Sequence, residues 1–151
     1  MKIFAFASTN VTNIWAGLGA GLWAVSKSDI EGTNKRRKTL AKNMPVGAFG
    51  ILYCSATHSL TTPFVVYSRP DENRSETSVW DGEWVLPFQI KPLGSPRRSM
   101  HREAAKSLLP SIANRNLKHV DELIFTKGTQ TFVPSEITDE DWSVLIRELA
   151  I

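Results

Sequence analysis

The sequence predicts one α+β domain of about six strands and three or four helices. Three observations point to it. Short apolar runs of strand length recur at residues 2–7, 46–54, 63–68 and 84–90, each bounded by polar turns. Apolar residues fall at helical intervals at 11, 14, 15 and 18, and again at 142, 145, 146 and 149. No repeat, low-complexity segment or linker divides the 151 residues, so 1–151 reads as a single domain able to bury one good core.

The elements follow in order. Lys2 to Ala7 is a strand, and Ser8-Thr9-Asn10 is the polar corner after it. Thr9 or Asn10 caps the first helix, because a short side-chain oxygen accepts from the free N–H groups of the first turn. Gly17, Gly19 and Gly21 end that helix and lead into Leu22-Trp23-Ala24-Val25, a second strand. Residues 26–45 are polar and basic with almost no apolar periodicity, which fits a mobile loop or a short helix. Phe49 to Cys54 is a buried strand, His58 to Thr62 a turn, and Pro63 to Ser68 another strand. A polar loop from Arg69 to Ser78 leads to Trp80, then to the strand Trp84 to Ile90, where Pro87 signals an edge or a bulge. Residues 99–112 read as a helix broken at Pro110, and Lys127-Gly128 as a hairpin or bulge between 121–125 and 131–133. Thr138 with Asp141 forms a capping box for the last helix, with Ile137 and Trp142 as its hydrophobic staple.

Composition excludes several classes. No apolar run approaches bilayer length, and the first residues lack the basic flank and cleavage site of a signal peptide. The reading is a cytoplasmic protein with no membrane partner. The single Cys54 rules out an internal disulfide, and it reads as an inert core thiol. His58, His101 and His119 have no metal-ligand spacing, and no phosphate-loop, dinucleotide, nucleophile-elbow or zinc-protease motif occurs. No cofactor or metal is expected, and catalysis has no signature. Net charge is only +3, but it is segregated. Basic clusters at 35–38 with Lys42, and at Arg97-Arg98 with His101-Arg102, contrast with acidic stretches at 71–83 and 136–141. This pattern suggests a basic face for an anionic partner such as nucleic acid.

The segment FAFASTNVTNIWAGLGAGLWAVS (4–26) resembles the first strand, first helix and second strand of the YTH family, readers of N6-methyladenine. Its corner is Ser8-Thr9-Asn10 with Asn13 one turn on, and its tryptophan run is Gly21-Leu22-Trp23-Ala24. VGAFGILYCS (46–55) is similar to the family's central strand, VWDGEWVLPFQIKPL (79–93) to its loop tryptophan and following strand, and 114–134 to its late segment with a basic residue beside Gly. The related EVE domains fit parts of the pattern equally well. Both have a PUA-like open β-barrel. Prokaryotic modules of these kinds occur in modification-dependent restriction systems.

The resemblance implies a non-catalytic reader that binds a modified base, N6-methyladenine foremost, in RNA or DNA, with an aromatic cage around a flipped or unpaired base. It makes Trp23 the cage floor and Trp80 the loop wall. Thr9, Asn10, Asn13 and the backbone of Ala24 would bond the base edge, and Lys127, Arg36 and Arg37 would hold phosphates. Ala24 stands where the family usually has Ser or Cys, so only backbone remains there. The loop carrying Trp80 is short, and the third wall is left unassigned. Asn10 and Asn13 equally suit helix capping. Trp84, inside a strand, and Trp15, on the helix stripe, are assigned to the core. The partner is a nucleic acid with a modified base, with a fused or associated effector such as a nuclease. Two other classes compete: a small PUA-like amidohydrolase using Thr61, Thr62 and Glu83, and a protein adaptor using the basic segment 35–42.

Overall fold

The structure, a computed structural model, describes residues 1–151. In chain order the elements are β1 (Lys2–Ser8), α1 (Val11–Ala20), β2 (Leu22–Ser26), α2 (Glu31–Ala41), β3 (Phe49–Cys54), β4 (Ser59–Val66), β5 (Ser75–Glu76), β6 (Trp84–Pro92), β7 (Ser99–His101), α3 (Arg102–Leu108), α4 (Pro110–Asn114), β8 (Ser135–Glu136) and α5 (Asp139–Leu149). Two 3₁₀ turns lie at Val120–Glu122 and Gly128–Gln130. The α+β class holds, with eight strands and five helices where about six and three or four were expected.

The strands form one mixed sheet in the order β2-β6-β4-β3-β1-β8, with β5 on β6 and β7 on β4. Only β1 and β3 run parallel, with Ile3 opposite Phe49 through Ser8 opposite Cys54. The sheet curls but does not close. β2 pairs only with β6, and β1 pairs with β8 at Lys2 and Ile3 alone. Beyond Ile3, the outer edge of β1 has no strand beside it.

Strand alternation sorts the apolar residues into two cores. Phe4 and Phe6 of β1 point inward, where Ile14, Trp23, Phe64, Phe88 and Phe132 meet them. Ile3 and Ala5 point outward and are covered by Ile112, Leu145 and Leu149 from the last helices. Both faces of β1 are therefore buried, which is why it reads as a continuous apolar run. Pro87 sits at a bulge: three β6 steps from Phe88 to Val85 span two β2 steps from Trp23 to Val25, with Leu86 at φ 57°.

Some elements sharpen the expectation and others differ from it. Of the loop or short helix expected within 26–45, the structure has a helix at residues 31–41, although they carry no apolar stripe. This helix is anchored through Leu40, Ala41 and the following Met44, which join the inner core, and through side chains described below. No hairpin surrounds Lys127. The backbone makes a 3₁₀ turn there, and Phe132 at φ 66° drops its ring into the core. Residues 99–112 split into β7, α3 and α4, with Pro110 as the first residue of α4, where its missing N–H costs nothing. Trp15 is 44% exposed and not in the core. No helix is long and apolar enough to cross a membrane.

Candidate nucleic-acid interface

The gap between β1 and β2 is a pocket of about 400 Å³, within the ~300–1,000 Å³ common for ligand sites. Ala5 to Ser8 form one side and Trp23 to Ser26 the other. Thr9 and Asn13 close it at the start of α1. Asp81 and Trp84 close it from the loop before β6, and Arg37, Lys127, Gly128 and Thr131 from the far side.

Two strand edges face each other across this seam. In a strand, the N–H and C=O of alternate residues point to the same side. The Gly21 carbonyl accepts from Ile90, and the Lys27 N–H donates to Glu83, so odd-numbered residues of β2 face β6. Even-numbered ones face the seam. The Leu22 carbonyl lies against Gly17, and the Ser26 carbonyl accepts from Arg37 at 2.9 Å. Between them, the N–H and C=O of Ala24 open into the pocket. On β1, the Met1 carbonyl accepts from Ile137 on the β8 side and the Ser8 carbonyl from Ser55 on the β3 side, so Ala5 and Ala7 face the seam. An unclosed sheet thus leaves backbone donors and acceptors beside an apolar floor.

Three indoles stand next to it. Trp23 lines the pocket, but it is 1% exposed and belongs to the inner core. Trp80 is buried behind it, 5.4 Å from Trp23 in an edge-on arrangement, and its Nε1 donates to the Asn13 carbonyl at 2.8 Å. Trp84 is half-buried and lines the pocket itself. Its ring lies 4.8 Å from Trp80 at 34°, and its Nε1 donates back to the Asp81 carbonyl at 2.9 Å. The accessible wall is therefore Trp84, which had been assigned to the core, while Trp80 supports it from behind. The WDGEW segment explains this: the Asp81-Gly82 turn, with Gly82 at φ 87°, folds the fifth residue back onto the first.

The polar residues divide by what they are free to do. Asn10 caps α1, its Oδ1 accepting from the Asn13 N–H at 2.8 Å, and it does not reach the pocket. Asn13 does, and its side-chain amide has no partner within the protein, as is true of the Thr9 hydroxyl. Lys127 lines the pocket and pairs with Asp121 at 3.4 Å. Arg37 bridges the Ser26 and Gly128 carbonyls, and Arg36 donates to the Thr129 carbonyl at 2.8 Å outside the pocket. These two arginines tie α2 to the turn that follows Lys127. Burial pulls the Arg37 pKa below the usual arginine value, and its Nε is buried without a partner in the pocket wall.

The alternative catalytic set is not brought together. Thr61 and Thr62 are buried in β4, with Thr61 bonded to Thr62 and to the carbonyls of Ser95 and Arg98. Glu83 is exposed and pairs with Lys27 at 3.5 Å. No group of three or more His, Cys, Asp or Glu side chains is placed to hold a metal ion.

The fold is similar to that of YTH domains. Among the solved structures that share this fold is the YTH domain of the Zygosaccharomyces rouxii MRB1 protein in complex with N6-methyladenosine RNA. It has a TM-score of 0.62 and 18% identity, over 98% of this chain and 88% of that one. The Pho92 YTH domain in complex with m6A gives a TM-score of 0.61 and 17% identity, over 97% and 84%. The Toxoplasma CPSF4 YTH domain in apo form gives 0.55 and 12%, over 97% and 83%. No protein-family model matches the chain, and no curated protein does. The resemblance drawn from residues 4–26 is thus supported at the level of the fold.

One glycine keeps the indoles in place. A Cβ on Gly17 would come within 2.9 Å of the Leu22 carbonyl, 3.0 Å of Trp23 and 3.1 Å of Trp80. Gly17→Ala gains up to ~1 kcal/mol of helix propensity but overpacks at a cost of ~1–3 kcal/mol. The expected result is a net loss of stability in urea together with an altered near-UV indole signal. A variant at least as stable as the parent, with an unchanged indole signal, would show that the helix does not press on these rings.

Proposed function

We propose that this domain is a non-catalytic reader of a modified base, N6-methyladenine, presented by a flipped or unpaired nucleotide. The observation that carries the reading is the seam pocket, where an indole face, two unpaired strand edges and a lysine converge on one cavity. A flat base stacks on Trp84, with Trp23 as the floor and Trp80 holding Trp84 from behind. The Asn13 amide, which both donates and accepts, reads the base edge with the Ala24 backbone and the Thr9 hydroxyl. Asn10 acts through the cap that orients the helix carrying Asn13. Lys127 meets the flanking phosphates, the Arg37 guanidinium adds positive charge to the pocket wall beside it, and Arg36 positions the turn that follows Lys127.

A base must leave its stack to enter, which costs a few kcal/mol in a duplex and less in a single strand. Stacking on one aromatic recovers roughly 1–3 kcal/mol. Single-stranded RNA is the first polymer to test, because two similar domains are in complex with N6-methyladenosine RNA or m6A; DNA is the second. The curled sheet is taken as the open barrel of the PUA-like superfamily. Such a reader works where nucleic acid is processed, here assigned to the cytoplasm, and it delivers a fused or associated effector such as a nuclease.

The test is fluorescence anisotropy with methylated and plain oligonucleotides of one sequence. Methylated strands should bind at least about tenfold tighter, which corresponds to ~1.4 kcal/mol. Lys127→Ala should weaken both alike and lower the salt slope by about 1. Equal affinity for methylated and plain strands, in RNA and DNA, would overturn the reading.

A further inference from the structure

The second basic cluster of the sequence takes no part in the seam pocket. One of its members, Arg102, lines a separate cavity of about 190 Å³ under the 3₁₀ turn at Val120–Glu122. Its lining includes two hydroxyl-bearing residues, Tyr53 and Thr126, only 9% and 8% exposed. Neither hydroxyl has a hydrogen-bond partner within the protein. Both oxygens stay open to solvent although their residues are largely buried, so they are two free donors available to a ligand in one cavity.

The charges around this cavity differ in how free they are. Glu103 is held by Lys106 at 3.0 Å, and Asp121 by Lys127 at 3.4 Å. Each carboxylate already has a cation, whereas the Arg102 guanidinium has no ion pair and no hydrogen bond. The His119 ring adds a further polar wall. Two hydroxyl donors and a planar guanidinium suit a tetrahedral oxyanion, which accepts from several donors at once.

This cavity adjoins the seam pocket. Ala7, on the seam, is in register with Tyr53 across the parallel β1–β3 pair, about 4.8 Å away and on the same face of the sheet. Lys127 lines the seam pocket while its partner Asp121 lines this one, so the ion pair is the ridge between them.

We propose that the Tyr53–Thr126–Arg102 cavity is a phosphate subsite, occupied by a backbone phosphate of the strand whose base fills the seam pocket. The proposal rests on the base-reading function above and extends its footprint across β3.

A methylated trinucleotide and a methylated nonanucleotide centred on the same base distinguish the two sites. Arg102→Ala, and separately Tyr53→Phe, should cost about tenfold in nonanucleotide affinity. Both should leave trinucleotide affinity unchanged, with Tyr53→Phe keeping the ring that packs in the outer core. Arg102→Ala should also lower the salt slope for the nonanucleotide by about 1. Wild-type affinity for the nonanucleotide in both variants would overturn the subsite. Inorganic phosphate that removes the nonanucleotide's advantage at concentrations too low to act through ionic strength would assign the cavity to a free phosphate and overturn its assignment to the strand. Equal binding of methylated and plain strands, with the Arg102→Ala loss still present, would sink base reading and leave the phosphate subsite standing.

Discussion

Replacing Trp84 with alanine is expected to remove discrimination for the methylated base while the domain stays folded. Trp84 is half-buried, its indole N–H bonds only within its own turn, and one face of its ring is covered by Trp80. Losing a stacking partner for a base costs roughly 1–3 kcal/mol, so methylated strands should bind about ten- to a hundredfold more weakly. Trp23→Ala should behave differently. That ring is 1% exposed among the inner-core residues, and a buried Trp→Ala change costs about 3–5 kcal/mol against a total stability of roughly 5–15. Its main effect should therefore appear in urea unfolding, with binding lost as a consequence. Trp23→Phe keeps a flat ring in the core and is the better probe of the floor. A Trp84→Ala protein that still separates methylated from plain strands would remove Trp84 from the cage.

The contrast between the two tryptophans shows what local sequence could and could not reveal. β1 and the α1 cap were legible because alternation and capping are properties of neighbouring residues. The Thr138–Asp141 box was legible for the same reason. The pocket was not. It exists because β1 and β2 are far apart in the sheet order and nothing closes between them, and pairing order is non-local. Trp84 looked internal because it begins an apolar run. Its position at the first residue of β6, just after the Asp81-Gly82 turn, is what turns its ring outward. Two tryptophans four residues apart around Asp-Gly were the available signal. The arginines of α2 were given as phosphate ligands by the family resemblance, together with the basic charge of their segment. Their guanidinium groups are largely engaged with carbonyls at 26, 128 and 129, which is also what holds that helix without an apolar stripe.

Asp141 should make the domain acid-sensitive. It is fully buried between α4 and α5. Its Oδ1 accepts from the Ser111 N–H at 3.0 Å, and its Oδ2 accepts from the Thr138 N–H at 2.9 Å and from the Ser111 hydroxyl. Its own N–H donates to the Thr138 hydroxyl at 3.0 Å, which completes the capping box of α5. Burial by itself would raise its pKa, but the hydrogen bonds from Ser111 and Thr138 together outweigh that and hold it below the usual aspartate value. A folded-state pKa below the unfolded one, about 3.9, means the stabilisation is fully present above that value and is lost as pH falls through the folded pKa. Asp141→Ala leaves three donors without an acceptor, and the expected cost near neutral pH is roughly 3–5 kcal/mol. Asp141→Asn retains the shape but turns an amide NH₂ toward those donors, so it should also destabilise. Glu76, Glu103 and Glu122 are shifted in the same direction, chiefly by hydrogen bonds from Ser78, Lys106 and the His119 backbone respectively, and they add to any acid slope. The informative quantity is therefore the stability difference between the wild type and Asp141→Asn, followed by urea unfolding from neutral pH down to about 2. It should stay constant above the unfolded value and shrink below it. A difference that does not change with pH would mean that the Asp141 charge contributes nothing to holding α4 against α5.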